Sequence, residues 1–404
     1  MQYQRFDPGA CDFPKPRVPV LPALHWHSLG QGRKSAFHSL GGGANARVFT
    51  RGRYALAEAY RQCGVGSQGA LLAPAYHCRT MLDPAISLGA EIALYALSPD
   101  LSPDLASLAD SLTRCRQPVR ALLLTHYFGF PQNLAPLVTF CAEHDINLIE
   151  DCSHALFTLD GANVAGNAMG QTGRFGIASP YKFFPSEDGG VLWTNREHLS
   201  QKTITQRAPG LIHELKGVLH AFQRARAAHE GLDVNQLDAQ IATLSNKLQV
   251  TGRDDTLQSD QPSPYYVFGE AALKSLRGSR WIMRRTNTER LVDRRRANYE
   301  QWLGAIADLP HCQALFPQLP ADCVPYMFPL VIERPDIHFF ALKQLGVPVW
   351  RWDDMAVSAC PLAASYRLKL LHLPCHQELS ERQMTWLITA IQKVFQQLPA
   401  DGTA

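Results

Sequence analysis

The sequence predicts an α/β protein: a mostly parallel sheet of about seven strands flanked by helices, with a smaller α/β domain at the C-terminal end. Two observations predict this. Short apolar runs alternate with helical segments, and several of those runs are unbroken, which suits strands buried on both faces. The chain also has 404 residues, more than one core usually holds. The expected division is an N-terminal arm over 1–45, a large domain over 46–260 and a small domain over 261–404.

Residues 1–45 are rich in Pro and Gly and end in Gly41-Gly42-Gly43, which reads as an extended arm. RYALAEAYRQCG (53–64) reads as a helix ending at Gly64. Strands are expected at 70–76 and 91–97, a helix at 104–115 and a strand at 119–127. A helix at 134–145 and strands at 147–150, 175–179 and 191–195 follow. Helices are expected over 208–228 and 233–250. The polar stretch 251–264 reads as a loop, and 279–306 as one long arginine-rich helix whose charged face is solvated. A strand, a helix and a second strand (347–350) fill 324–350. Residues 372–398 read as a loop and an amphipathic helix with Met384, Leu387, Ile388 and Ile391 on its apolar face.

Composition narrows the function. Hydrophobic residues at 46% and charged residues at 19% describe an ordinary globular protein. A net charge of +3 is too mild to argue for nucleic acid or a membrane as partner. No C-x-x-C occurs among the ten cysteines, so no metal site is suggested. No signal peptide and no spanning segment is evident, so a reducing, cytoplasmic setting is expected.

The informative stretch is 148–195. Asp151 lies just past one apolar strand and Lys182 just past another, with Ser179 three residues before the lysine. Gly189-Gly190 then opens a third apolar run. An acid and an amine at the ends of buried strands need partners, and pyridoxal phosphate would supply them. Its chemistry requires an amine to form a Schiff base, a carboxylate on the pyridine nitrogen, and hydroxyl and N–H donors for the phosphate. Lys182, Asp151 and Ser179 suit those roles, and His154 stands close enough to Asp151 to contact the ring. In sheets of this kind ligands sit at the carboxyl ends of strands, where Asp151, Lys182, Tyr76 and His126 all fall. A histidine such as His126 after a strand is more often a satisfied loop residue.

Glu150-Asp151-Cys152-Ser153-His154-Ala155, Ser179-Pro180-Tyr181-Lys182 and Gly189-Gly190-Val191-Leu192 together resemble the DegT/StrS family of pyridoxal-phosphate sugar aminotransferases. The resemblance implies the aspartate aminotransferase-like fold, Lys182 as the Schiff-base lysine, and Asp151, His154 and Ser179 as cofactor contacts. It also implies a homodimer, an amino donor such as glutamate, and a ketone acceptor, usually a nucleotide-linked keto-sugar. The family's phosphate-binding S-G-T-A-A-L matches here at Gly52, Ala55 and Leu56, while Arg51 and Arg53 replace Ser and Thr. A guanidinium is itself a strong phosphate partner, so Arg53 joins Gly52 in the expected cradle. The family's ring-stacking position falls nearest Cys78, which cannot stack, leaving Tyr76 or His77. In the region where the family carries an N-x-R motif, this chain has Pro264-Tyr265-Tyr266-Val267-Phe268 instead. Arg295-Arg296-Ala297-Asn298-Tyr299 resembles a family R-R-x-N-Y. Two rival readings are an eliminating or dehydrating enzyme with the same cofactor, and a non-catalytic binding protein on the same fold.

Overall fold

The computed structural model of the chain describes residues 1–9, 11–30, 45–156, 169–195, 204–226, 231–245 and 253–398. The triple glycine of the arm, the ends of the two helices expected near 228 and 250, and the start of the 251–264 loop lie outside the described residues.

In chain order, β1 (Gln2–Asp7) comes first, then β2 (Ala46–Phe49), α1 (Gly52–Cys63), β3 (Ala70–Pro74), α2 (Asp83–Ser87), β4 (Ile92–Tyr95) and α3 (Leu105–Arg114). There follow β5 (Val119–Thr125), α4 (Ala135–Glu143), β6 (Asn147–Asp151), β7 (Phe175–Ala178) and β8 (Gly190–Thr194). The seven strands β2 to β8 form one sheet in the order β2-β8-β7-β6-β5-β3-β4. The apolar runs explain its centre: every residue of β3, β7 and β8 is buried. β4, at one edge, is only half-buried over most of its length.

Pairing is parallel from β4 through β3, β5 and β6 to β7, and antiparallel where β8 meets β7 and β2. β8 therefore runs against its six companions. Its first residue, Gly190, lies at the edge where the others end, so the Gly189-Gly190 pair joins the carboxyl ends of β2, β3, β6 and β7. Helix α1 leaves β2 at this same edge and stops at Gly64, whose left-handed φ of 84° suits glycine.

The remainder is α5 (Leu211–Arg226), α6 (Leu237–Ser245), β9 (Arg253–Gln258), α7 (Arg277–Arg285), α8 (Thr288–Ile306), β10 (Cys312–Ala314) and β11 (Met327–Ile332). It ends with α9 (His338–Gln344), β12 (Asp354–Ala356), α10 (Pro361–Lys369), β13 (Leu370–Pro374) and α11 (Glu381–Gln397). Strands β10, β11 and β13 make an antiparallel three-stranded sheet. Helix α11 starts as its sequence directs: Ser380 and Gln383 cap one another reciprocally, and Met384, Leu387 and Ile391 are buried.

Several sequence expectations are corrected. The 251–264 loop contains β9, which pairs antiparallel with β1, while β1 also pairs with β12. The first residues of the arm are thus the middle strand of a small sheet. RDDTLQ carries little apolar signal because a strand there is satisfied through its backbone. The single helix expected over 279–306 is two helices, because Thr286 is extended and Asn287 caps α8 by accepting from the Arg290 N–H at 3.0 Å. Residues 372–374, read as loop, complete the fully buried β13. The strand expected at 347–350 reduces to a single bridge between Trp350 and His372. The solvated-face reading of α8 fails at its centre, where Arg295 and Asn298 are completely buried.

Candidate active site

Asp151 closes β6 and is 1% exposed. Its Oδ1 accepts from the Ser153 N–H at 2.8 Å, the short local contact that an aspartate followed by a turn makes readily. Its Oδ2 faces His77 Nε2 at 3.4 Å, an ion-pair distance rather than a hydrogen bond. Burial raises the Asp151 carboxyl most, but His77, Ser153 and the nearby Lys182 ammonium outweigh it and hold the group below its usual range.

His77 follows β3 and is buried. Its Nδ1 lies 3.3 Å from the Cys78 carbonyl and its Nε2 faces the carboxylate, an arrangement that favours the doubly protonated, charged ring. Burial opposes that charge, but Asp151 and Cys78 prevail and push His77 up to about 9. A histidine raised from 6.5 in the folded chain stabilises it fully below 6.5, and the contribution fades as pH rises through about 9. The cofactor-free protein is therefore expected to lose on the order of 2–3 kcal/mol between pH 6 and 9.5 from this pair. Thermal unfolding across that range should show the loss, and His77→Gln should flatten it. An unchanged slope in that variant would remove the ion pair from the account.

Lys182 sits in the one-turn segment Pro180–Lys182 that follows β7, and its N–H donates to the Ser179 carbonyl at 3.0 Å. Its ammonium lies over the ring of Tyr326, 5.3 Å from the centroid. It is near enough to Asp151, Cys78, His154 and His372 for its charge to act on all four. His154 stacks on the same Tyr326 ring at 4.5 Å. Burial and the Lys182 charge hold its imidazole well below the ordinary value, so the ring is neutral. Its Nδ1 is buried without a partner.

The anion end of the site is built around Gly52. A Cβ there would lie 2.2 Å from Ser179 Oγ, so only glycine lets α1 begin this close to the hydroxyl. Ser179 Oγ in turn donates to Ser153 Oγ at 3.0 Å. No side chain caps the first N–H groups of α1, leaving them and the helix dipole directed at this point. Gly190 admits the turn from the other side, since a Cβ there would meet the Arg51 carbonyl at 2.3 Å.

The structure brings Lys182, Asp151, His154, His77, Ser179 and Gly52 to one place. Two expectations take a different form. The Arg53 guanidinium reaches the Tyr265 carbonyl, so near the cradle this residue offers its backbone N–H and not its side chain. Arg51 likewise turns away, stacking on Tyr181 and donating to the Glu187 carbonyl at 2.9 Å. Tyr76 is fully buried, packs against Trp352 at 4.6 Å and bonds His372 Nε2 through its hydroxyl at 3.2 Å. It is a wall of the site, whereas His77 is the ring that meets Asp151. His126 is a satisfied loop residue: its Nδ1 accepts from the Gln132 N–H and its Nε2 donates to Glu150 at 3.0 Å.

Sequence reasoning missed Tyr326, Trp352 and His372, which close the site from the C-terminal part of the chain. Trp352 lies nearly parallel to His77 at 5.4 Å. Nothing in their local sequence separates them from ordinary core aromatics. Ser153 was within reach, since it stands inside the Asp151–His154 run.

A model of the DegT/DnrJ/EryC1/StrS aminotransferase family matches residues 34–253. The chain belongs to that family. A relative, the L-glutamine:scyllo-inosose aminotransferase of Streptomyces griseus, is 26% identical over 181 residues. The match takes in 44% of this chain and covers 41% of that protein's length. Among solved structures, the aminotransferase TlmJ from Streptoalloteichus hindustanus is 19% identical, with a TM-score of 0.62 over 94% of this chain and 99% of its own. The Streptococcus pneumoniae chain Spr1654 in its PLP-form is 13% identical, with a TM-score of 0.64 over 95% of this chain and 100% of its own. At these identities the two structures establish the fold, which is that of the sugar aminotransferases. The family match ends at residue 253, before Tyr326, Trp352 and His372.

Proposed function

We propose that the protein is a pyridoxal-phosphate aminotransferase that moves an amino group from an amino acid to the ketone of a sugar-like substrate. The observation that carries this reading is the gathering of Lys182, Asp151 and the uncapped start of α1 at one edge of the sheet. The residues fit the cofactor on three counts. Asp151 Oδ2 has only a loose contact and can accept a ring N–H. His154 Nδ1 is buried and unpartnered. Gly52, with Ser179 and Ser153 beside it, leaves a cradle that any Cβ would fill.

When bound, pyridoxal phosphate supplies an aldehyde for an amine to condense with and a protonated ring that withdraws electrons. Lys182 would supply that amine, and as a free amine its Nζ could take and return a proton. Asp151 would hold the cofactor's ring nitrogen protonated, and the Ser153 N–H fixes one carboxylate oxygen so that the group cannot turn away. Ser179 Oγ and the backbone N–H groups of Gly52 and Arg53 would hold the phosphate. Neutral His154 offers Nδ1 to the ring region without adding charge. His77, which faces the same Asp151 oxygen, would have to give up that contact when the carboxylate serves the cofactor, and Trp352 and Tyr326 would keep water from the amine.

Glutamate is the proposed donor by family resemblance, although the Streptomyces griseus relative is named for L-glutamine. The proposed acceptor is a keto-sugar, nucleotide-linked as is usual in the family. Residues 46–260 would hold the cofactor and 261–404 would cover it. We place the enzyme in the cytoplasm as a homodimer. An exposed apolar stripe on α5, made by Leu211, Ile212, Leu215 and Leu219, is surface that a second subunit could cover.

The test is a single half-reaction. Cofactor-loaded protein mixed with glutamate, and separately with glutamine, should release about one keto acid per subunit with no acceptor present. Keto acid release with one donor only identifies that donor. Cofactor uptake with no keto acid from any amino acid would instead favour the binding-protein reading.

A further inference from the structure

Arg295 is completely buried in the middle of α8, yet no carboxylate is among its hydrogen-bond partners. Its Nε donates to Gln377 Oε1 at 2.9 Å. Its Nη1 donates to the carbonyls of Pro325 and Tyr326 at 3.1 and 2.9 Å. Its Nη2 donates to the carbonyls of Lys182 and Phe183 at 3.0 and 3.4 Å. The guanidinium also lies over the Phe183 ring, 4.6 Å from its centroid. Gln377 closes the loop by donating Nε2 to the Phe183 carbonyl at 2.8 Å.

Burying a cation against neutral acceptors alone is expensive, and burial pushes the Arg295 guanidinium down to about 10. An apolar residue would fill the same space at less cost. What the guanidinium adds is geometry, because its planar fork is the one side chain that can serve five acceptors in fixed directions. Those acceptors belong to two parts of the site. Lys182 and Phe183 come from the turn after β7. Pro325 and Tyr326 lead into β11, and the Tyr326 ring is what the Lys182 ammonium lies over.

We propose that Arg295 is a positioning residue for Lys182, locking the backbone of the lysine to the backbone of the tyrosine beneath its ammonium. This rests on the reading of Lys182 as the reactive amine. Without the clamp the turn loosens, and the amine leaves the Tyr326 ring for solvent.

The test is competitive labelling of amines with acetic anhydride in the cofactor-free, full-length protein, read by mass spectrometry. The quantity is the rate at Lys182 divided by the rate at Lys15, which is exposed. Arg295→Gln and Arg295→Lys should each raise that ratio at least threefold, since an ammonium cannot reproduce the fork. Gln377→Ala, which removes one acceptor and the second tie to Phe183, should raise it less. A ratio equal to wild type in folded Arg295 variants, even with a lowered melting temperature, would make Arg295 a structural residue only and overturn the proposal. If those variants do not fold, an unchanged ratio in Gln377→Ala overturns it. Adding pyridoxal phosphate to wild type should protect Lys182 from labelling. Failure to protect would defeat the cofactor reading, while the clamp is still judged by the ratios without cofactor.

Discussion

Lys182→Ala is expected to leave a folded protein whose amino-transfer rate falls by about 10⁴-fold or more, since both the Schiff-base amine and the proton carrier are lost. Folding should survive because what the fold uses is the backbone of this residue. Its N–H bonds the Ser179 carbonyl and its own carbonyl bonds Arg295, and alanine keeps both. The side chain makes no ion pair within the described residues and only rests over Tyr326. Keto acid released from glutamate is the measure. A variant retaining a tenth of the wild-type rate would mean that another group carries the proton.

Asp151→Asn is the second large effect, at about 10²–10³-fold in rate, the scale seen when a preorganised electrostatic contact is removed. The amide keeps the shape and the contact with Ser153 N–H, but it cannot hold a proton on a ring nitrogen by charge. The same substitution deprives His77 of its anion. Stability without cofactor should then no longer fall between pH 6.5 and about 9, because the raised His77 value depends on that carboxylate. Asp151 itself works in the opposite sense. Its lowered carboxyl stabilises the fold at neutral pH, and that contribution is lost as the solution is acidified through the folded value. The rate loss and the flattened pH slope should appear together. One without the other would separate the two roles given to Asp151.

Much of the large sheet could be read from the chain, because strands covered on both faces must be apolar: β3 and β7 are so throughout, and β5, β6 and β8 are so through their centres. The carboxyl-edge rule then puts Asp151 and Ser179 at the site without further help. The antiparallel run of β8, which brings Gly190 to that edge, leaves no mark in its own residues. The small β1-β9-β12 sheet was missed for a physical reason: Gln2–Asp7 buries only Tyr3 and Phe6, three residues apart, and Arg253–Gln258 is mostly polar, so neither shows the alternation that announces a strand. The break between α7 and α8 could have been suspected from Thr286-Asn287-Thr288, a run of poor helix formers with a good cap at its centre. Arg295 could not, since a buried arginine and a solvated one look alike in sequence. Arg53 shows the converse limit. The residue type suggested a phosphate contact, and the position of the Tyr265 carbonyl decided where the guanidinium went.

The most direct measurement is to add pyridoxal phosphate to the purified protein, reduce with borohydride and map the modified peptide by mass spectrometry. The account predicts one pyridoxyl group per chain, on Lys182, and none in Lys182→Ala. A group found on a different lysine, or on none while the phosphate ester is still retained, would contradict it.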